Sequence, residues 1–503
     1  MLNGQPLPRV PPGVRKPCPL RSFTLAARSY RPSPTDRGWR APASERSLPP
    51  PSFFLLPGGG CNSSDVRQAM RRALSGRPSQ EVLPVALSQY LADLQLLDEI
   101  ERHPRRTADA DAAAWHFVGA APTTSQYVAM LGLLGGQEGH AVRMGRLAGC
   151  LAKHRAQQAR LPAGRRKPLY INIPTLDLES ATSPSVMREL LLHDRTVAPV
   201  CLGVFDRSSA ESGHRNKRYR ALLNHSLVLP HVASPRLARA ARRCALRAAA
   251  DCAANASAPR EGSIFHGDFG RFDFGARSAM RHMCAYMRTP CSLVSRMDMN
   301  RGVQGTKMPT IGRDGVASPS AAHHAEQLVT AHTSRAMLGA SLCFNPQGDI
   351  KSSRRLFDAL AAACAPVTIK AIGNSMREVL LANVPFHHSV DWREISFWYA
   401  PRGPTREEEP GTLRNLRCRE EEAEWIDQIH DDRALVDRVR RNGQAAFLAT
   451  MDLEFNPRGV VDALLQELPY VLDDYGIQLP ARYMMRPDER IGEVRGETFY
   501  NYK

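Results

Sequence analysis

The stretch Ser341–Val367, SLCFNPQGDIKSSRRLFDALAAACAPV, constrains this chain more than any other. It predicts a strand, a glycine-bearing loop, a helix and a second strand in immediate succession. The first strand is expected over Ser341–Phe344. The run Asn345-Pro346-Gln347-Gly348-Asp349 is expected to turn, because Pro346 lacks an N–H and Gly348 tolerates unusual backbone angles. Ser352 or Ser353 can then cap a helix that Arg354 to Leu360 suit, and Pro366 closes it before the apolar run Val367–Ile369.

The chemistry of such a helix start is that of an anion site. Its unpaired backbone N–H groups and the positive end of the helix dipole suit phosphate, and Arg354 and Arg355 add charge beside them. Asp358 lies six residues beyond Ser352. At helical rise that is about 9 Å, close to the span from a diphosphate to ribose hydroxyls that a carboxylate accepts. The spacing fits a nucleoside diphosphate. An ordinary capped surface helix with an Arg354–Asp358 pair four residues apart fits it equally well.

The same residues resemble the signature of the exostosin-like glycosyltransferases, a C-P-R-G turn followed by S-x-R, an acidic residue before Ala, and G-C-x-P-V. Here those positions hold Pro346, Gly348, Ser352, Ser353, Arg354, Arg355, Asp358, Ala359, Cys364, Pro366 and Val367. The later family pair is matched by Val384-Pro385-Phe386 and Asp391-Trp392. Upstream, Phe265-His266-Gly267 followed by Arg271, Gly275, Arg277 and Arg281 is similar to the family's F-x-G strand with its glycine and arginine. Thr107 to Val118 resembles a T-x-D element of the first domain, Val228 to Val232 a V-x-x-P segment, and Asp462-Ala463-Leu464 the closing D-A-F helix. Gln347 stands where the family has Arg, and Ala363 where it has Gly. After Tyr170 the family's acceptor-side pattern has no clear counterpart.

The resemblance implies an α/β chain with two Rossmann-like domains facing a cleft, the architecture called GT-B, and a length of 503 residues with 43% apolar composition suffices for two cores. The expected divisions are a disordered leader over 1–65, an acceptor-side domain over 80–235, a linker helix over 236–260, a donor-nucleotide domain over 261–400, and closing helices over 401–503. Glu420–Arg441 reads as one amphipathic helix, and Met297–Pro319 as a long glycine-rich loop. The leader follows from composition: residues 1–60 hold thirteen prolines among Arg, Ser and Gly and offer little to bury.

Transfer of a sugar from a nucleoside diphosphate to a glycan hydroxyl, with inversion by direct displacement, is the implied reaction, making the chain a hexosyl- or glycuronosyltransferase. It needs positive groups at the leaving diphosphate and a base at the attacking hydroxyl. Gly267, Arg271, Arg277, Gly348, Ser352, Ser353, Arg354 and Arg355 are the donor-binding candidates, with Asp358 on the ribose. Asp194 is the candidate base, from its place near the missing acceptor-side motif, with Asp206 its alternative. The implied donor is a UDP-sugar, the acceptor a glycan or glycoprotein, and no cofactor or metal is required. A relative that binds nucleotide-sugar or glycan without transferring it is the alternative reading.

The net charge of +17 suits an anionic substrate, and no nucleic acid partner is expected, since the basic runs Gly213–Arg220 and Arg236–Arg247 lie in no recognisable nucleic-acid motif. The second of these runs has helical spacing and reads as a surface helix between domains. Adjacent histidines, His323-His324 and His387-His388, would point apart on a helix or strand and make poor chelators there, and they read as loop histidines, so no metal site is expected. The family implies the Golgi or secretory pathway with enzyme partners there. No transmembrane anchor or signal peptide is visible, since no stretch approaches about 18 apolar residues and Ser52–Leu56 is far too short. Eleven cysteines neither demand nor exclude disulfides.

Overall fold

The computed structural model describes residues 50–77, 83, 91–175, 178–205, 222–223, 226–246, 264–268, 283–284, 286–295, 310–311, 317–318, 321–346, 353–369, 384–392, 394–399 and 423–476. Two parallel sheets organise them. The first comprises β1 (Phe53–Leu55), β2 (Arg106–Thr107), β3 (Trp115–Phe117), β4 (Leu169–Asn172), β5 (Val200–Val204) and β6 (Leu227–Val228), in the order β2-β1-β3-β4-β5-β6. The second comprises β7 (Ile264–Asp268), β8 (Cys291–Ser295), β11 (Leu342–Pro346), β12 (Ala365–Ile369) and β13 (Phe397–Tyr399), in the order β13-β12-β11-β7-β8. Between β8 and β11 a separate antiparallel pair, β9 (Thr310–Ile311) and β10 (Ala317–Ser318), falls within the stretch expected to be only loop.

Ranked within its own sheet, each set of strands runs 2-1-3-4-5, and the first adds a sixth. This is the doubly wound order, in which the chain starts centrally, steps one way, and returns to build outward the other way. The direction therefore reverses between β1 and β3 in one sheet and between β7 and β11 in the other.

Helices follow the strands as parallel connections require. In the first part they are α1 (Ser64–Leu74), α2 (Ala92–Arg102), α3 (Pro122–Met130), α4 (Gly136–Ala159), α5 (Leu178–Ala181), α6 (Pro184–Thr196) and α7 (Pro235–Leu246). In the second they are α8 (Ala321–Gly339), α9 (Arg354–Ala361), a helix over 423–431, α10 (Arg433–Thr450) and α11 (Pro457–Gly476).

Alternation along the strands sends side chains to two cores. Leu169 and Ile171 of β4 pack with Met144 and Leu151 of α4 and Val186 and Leu190 of α6. Tyr170 points the other way, its ring 4.8 Å from that of Phe117, which stacks 4.3 Å from Phe53. Likewise Leu342 and Phe344 of β11 meet Ile426, Ile429 and Val436, whereas Cys343 faces α9 and α11. The cluster holding Phe53, Phe117 and Tyr170 is continuous with the one holding Leu356, Phe357 and Leu464, so a single apolar core joins both sheets. Polar ties reinforce it where α2 meets α11 and the turn before it. Gln95 donates to Glu454 at 2.7 Å, Arg458 to Glu99 at 3.0 Å, and His103 lies 2.9 Å from Asp462.

Several boundaries differ from expectation. The leader expected over 1–65 overlaps β1 and the start of α1. Phe53 is wholly buried and pairs with both Arg106 and Trp115, so the short run Ser52–Leu56 contains an inner strand. A strand buried on both faces needs only a few apolar residues, and the surrounding prolines masked it. Strand β11 runs on through Asn345 and Pro346, because its pairing with β7 ends at Phe344 and the missing Pro346 N–H falls beyond that ladder. Pro366 lies inside β12, one residue before the pairing with β13 begins. The single helix expected over Glu420–Arg441 breaks at Asp432, whose carboxylate caps α10 by accepting from Leu435 N at 3.2 Å.

Candidate functional site

In open parallel sheets the crevice for a ligand forms outside the carboxyl ends of the strands, where the strand order reverses. In the second sheet that place is bounded by the ends of β7 and β11. Gly267 is the penultimate residue of β7, in register with Val294 of β8. Strand β11 ends at Pro346, and α9 follows it with Ser353 as its cap. Ser353 Oγ accepts from Arg355 N at 3.3 Å. As the crossover helix between β11 and β12, α9 starts at the carboxyl end of the sheet. The expected sites Gly267, Ser353, Arg354 and Arg355 thus belong to the two segments that flank one switch point.

Expected residues Arg271, Arg277, Gly348 and Ser352, with Gln347, lie outside the described residues. Arg354 is largely buried, its Nε 3.3 Å from Asp358 Oδ2. Asp358 Oδ1 accepts from Ser234 N at 2.6 Å. Both carboxylate oxygens therefore have protein partners, and the carboxylate ties α9 to the chain entering α7. Burial raises the Asp358 pKa, opposed by the neighbouring Arg354 charge and the Ser234 amide. Asp358, the residue expected at the ribose, thus faces Arg354 and Ser234 within the protein.

Asp194 sits at the end of α6, where its Oδ1 accepts from Val200 N at 2.9 Å. Val200 is the first residue of β5, so Asp194 fastens the amino end of that strand, opposite the end where ligands gather. Asp206 lies outside the described residues, one position beyond Phe205 and two beyond the last residue of β5.

Residues that sequence reasoning missed complete the surroundings. His231 is buried, its ring stacked 4.1 Å from that of Phe205 and tilted 5.7 Å from that of Phe357 of α9. Among the described residues neither of its ring nitrogens has a hydrogen-bond partner, and burial, with the Arg354 charge, lowers its pKa to about 3. Asn345, three residues before the expected glycine, is buried in β11 and donates to Thr368 Oγ1 at 3.4 Å, while its Oδ1 has no hydrogen-bond partner among the described residues. Ser234 Oγ is also buried without a partner. Such unpaired polar atoms are uncommon in a packed interior. His231 and Asn345 offered only a signal of position, beside a Pro and within the expected turn.

The His387-His388 pair falls on neither a helix nor a strand. It lies in a turn over 384–390, where Phe386 has a φ of +53°, and the two rings come within 4.1 Å of each other. His387 and His388 are thus loop histidines, as expected, and the divergence of neighbours on a helix or strand does not apply to them, whereas His323-His324 fall within α8.

No family model matches the chain, and neither does any curated protein. Among solved structures, it is similar to Anabaena Alr3699/HepE in complex with UDP and glucose, at 10% identity and a TM-score of 0.31. Structures of the same protein with UDP and with UDP-glucose are each 12% identical, with TM-scores of 0.29. Each covers 82% of this chain and 99% of its own.

Among the described residues three disulfides form, Cys61–Cys150, Cys284–Cys291 and Cys343–Cys364. The last joins β11 to the residue before β12, on either side of α9. No helix among the described residues is long and apolar enough to cross a membrane.

Proposed function

We propose that this chain is a glycosyltransferase of the exostosin-like type that takes a nucleoside diphosphate sugar, UDP-linked, as donor. The observation that carries the reading is the coincidence of two independent lines at one place. The family-like residues Gly267 and Ser353 to Arg355 flank the switch point of a doubly wound sheet, where that topology binds nucleotides. The second sheet is then the donor domain, the first the acceptor side, and the GT-B cleft lies between them.

In this reading the diphosphate rests on the start of α9 with Arg354 and Arg355, and Arg271, Arg277, Gly348 and Ser352 complete its surroundings. Asp358 fixes Arg354 from below. As the acceptor hydroxyl attacks the anomeric carbon, the bond to the diphosphate breaks with inversion, and the arginines stabilise the charge growing on the leaving group. A base must accept the hydroxyl proton. Asp206, following the carboxyl end of β5, is the better candidate than Asp194, whose carboxylate holds Val200 at the opposite end. The acceptor is a glycan or glycoprotein. The three disulfides favour an oxidising, secretory compartment such as the Golgi.

Titration calorimetry with UDP and GDP tests the donor site. Arg354→Ala is expected to weaken UDP binding by about 1–3 kcal/mol, the worth of a lost charged hydrogen bond. Undiminished affinity in Arg354→Ala and Arg355→Ala would remove the assignment. Asp206→Asn is expected to lower turnover on the order of 100-fold or more while leaving UDP binding intact. A second reading, a nucleotide-sugar-binding relative without transfer, is favoured by the absence of an arginine at Gln347. Product formation across a panel of UDP-sugars and glycan acceptors separates the two.

A further inference from the structure

We propose that His387, His388 and Glu467 form a zinc site that fastens the turn over 384–390 to α11. One ligand atom from each of the three lies within 4.8 Å of the others. Two imidazole nitrogens and one carboxylate oxygen form a donor set suited to zinc, with room for water as a fourth ligand. Magnesium and calcium prefer all-oxygen surroundings. In a tetrahedral site with bonds of about 2.0–2.1 Å, ligand atoms stand roughly 3.3 Å apart. From separations of up to 4.8 Å the ligand atoms would draw together by at most about 1.5 Å to reach that spacing.

Glu467 is the decisive member. It is 0% exposed on α11, and its Oε1 already accepts from His388 N at 3.0 Å and Ser389 N at 2.7 Å. Its Oε2 is buried with no hydrogen-bond partner. A carboxylate oxygen left so is costly, and a bound cation supplies the missing partner. The two amides on Oε1 hold the carboxylate in orientation, as outer-shell hydrogen bonds do at metal centres. His388 is held by Tyr470, whose ring stacks at 4.5 Å and 17°. Glu467 and His388 are thus each held by a neighbour other than the metal.

The position gives the ion a structural consequence. The turn carries Phe386 and Val390 into the shared core, and α11 carries Asp462 and Arg458 onto α2. A zinc ion here would cross-link the loop between β12 and β13 to the helix that spans both sheets. The inference is independent of the glycosyltransferase reading.

The test uses the full chain, stripped with chelator and titrated with zinc chloride, with cobalt(II) absorption as a report on coordination. About one tight ion per chain is expected, with a rise in melting temperature and the visible bands of a four-coordinate nitrogen–oxygen site. Glu467→Gln keeps an acceptor for the His388 and Ser389 amides, so the fold is retained, yet zinc affinity is expected to fall by more than about tenfold. His387→Ala is expected to do the same. Undiminished zinc affinity in both variants would assign the ion to other histidines and overturn the proposal, as would the absence of any tight ion in the unaltered chain.

Discussion

Ala363 closes α9 with a φ of +49°, the left-handed conformation that ends many helices. Its N–H donates to Leu360 O at 3.1 Å, and Cys364 N–H donates to Ala359 O at 3.0 Å. This is the paired bonding of a Schellman turn, in which the left-handed residue is usually glycine. A Cβ at such a position opposes the backbone, so Ala363 is strained where Gly would not be. Ala363→Gly is therefore expected to stabilise the chain by about 0.5–1 kcal/mol, despite the smaller side chain in a buried setting. Equilibrium denaturation in urea checks it, and a midpoint unchanged or lowered would show that the left-handed turn carries no strain here. The cap Ser353 and the Arg354–Asp358 pair were legible in the sequence, because capping and i,i+4 pairing are local rules. The partner that takes the other Asp358 oxygen, Ser234, stands 124 residues away, and no local rule reaches that far.

At the scale of elements, the second sheet was more legible than the first. Its β11, α9 and β12 follow one another with Ser353 marking the start of the helix, although Pro346 and Pro366 lie inside the strands, whereas β1 is three residues embedded in a proline-rich run. Packing behind β3 was equally hidden. His116 of β3, His154 of α4 and His193 of α6 meet in the interior, with His116 Nδ1 2.8 Å from His154 Nε2 and the His154 and His193 rings stacked 5.3 Å apart. Burial lowers the His154 pKa to about 3 and that of His193 to about 4. Both are neutral in the folded chain near neutral pH, while the unfolded chain takes up protons near 6.5. Their contribution to stability is therefore complete above pH 6.5 and is lost as pH falls toward 3–4, by about 1 kcal/mol per pH unit for each ring. Buried Asp93, raised to about 7 by desolvation, acts in the opposite sense, favouring the folded chain as pH falls from 7 toward 4. Comparison of one chain with its variant isolates the histidine share. His154→Leu is expected to lose less stability than the unaltered chain between pH 7 and 5, and parallel pH profiles would show that the ring is not titrating from a buried neutral state.

Across the whole molecule, the repeat of one strand order in two sheets explains why a single continuous core can serve both. Each sheet leaves one helical face to its own helices and turns the other toward α2, α7, α9 and α11. Covalent links add to this arrangement unevenly. Cys61–Cys150 spans 89 residues and joins the glycine-rich turn after β1 to α4, whereas Cys343–Cys364 spans 21 residues within one strand–helix–strand unit. Gly60 beside the first link shows how closely these parts approach, since a Cβ there would lie 2.5 Å from Arg146 O on α4. Closing the longer loop removes more freedom from the unfolded chain, so the Cys61–Cys150 link is expected to contribute more than the Cys343–Cys364 link. Replacing both Cys61 and Cys150 by Ala should cost about 2–5 kcal/mol and release β1 from α4. Hydrogen exchange provides the check beside denaturation: amides of β1 and of the α4 turn around Cys150 should lose protection while those of β11 and β12 keep it. Equal loss of protection in both sheets would mean that the shared core, rather than the disulfide, holds β1 in place.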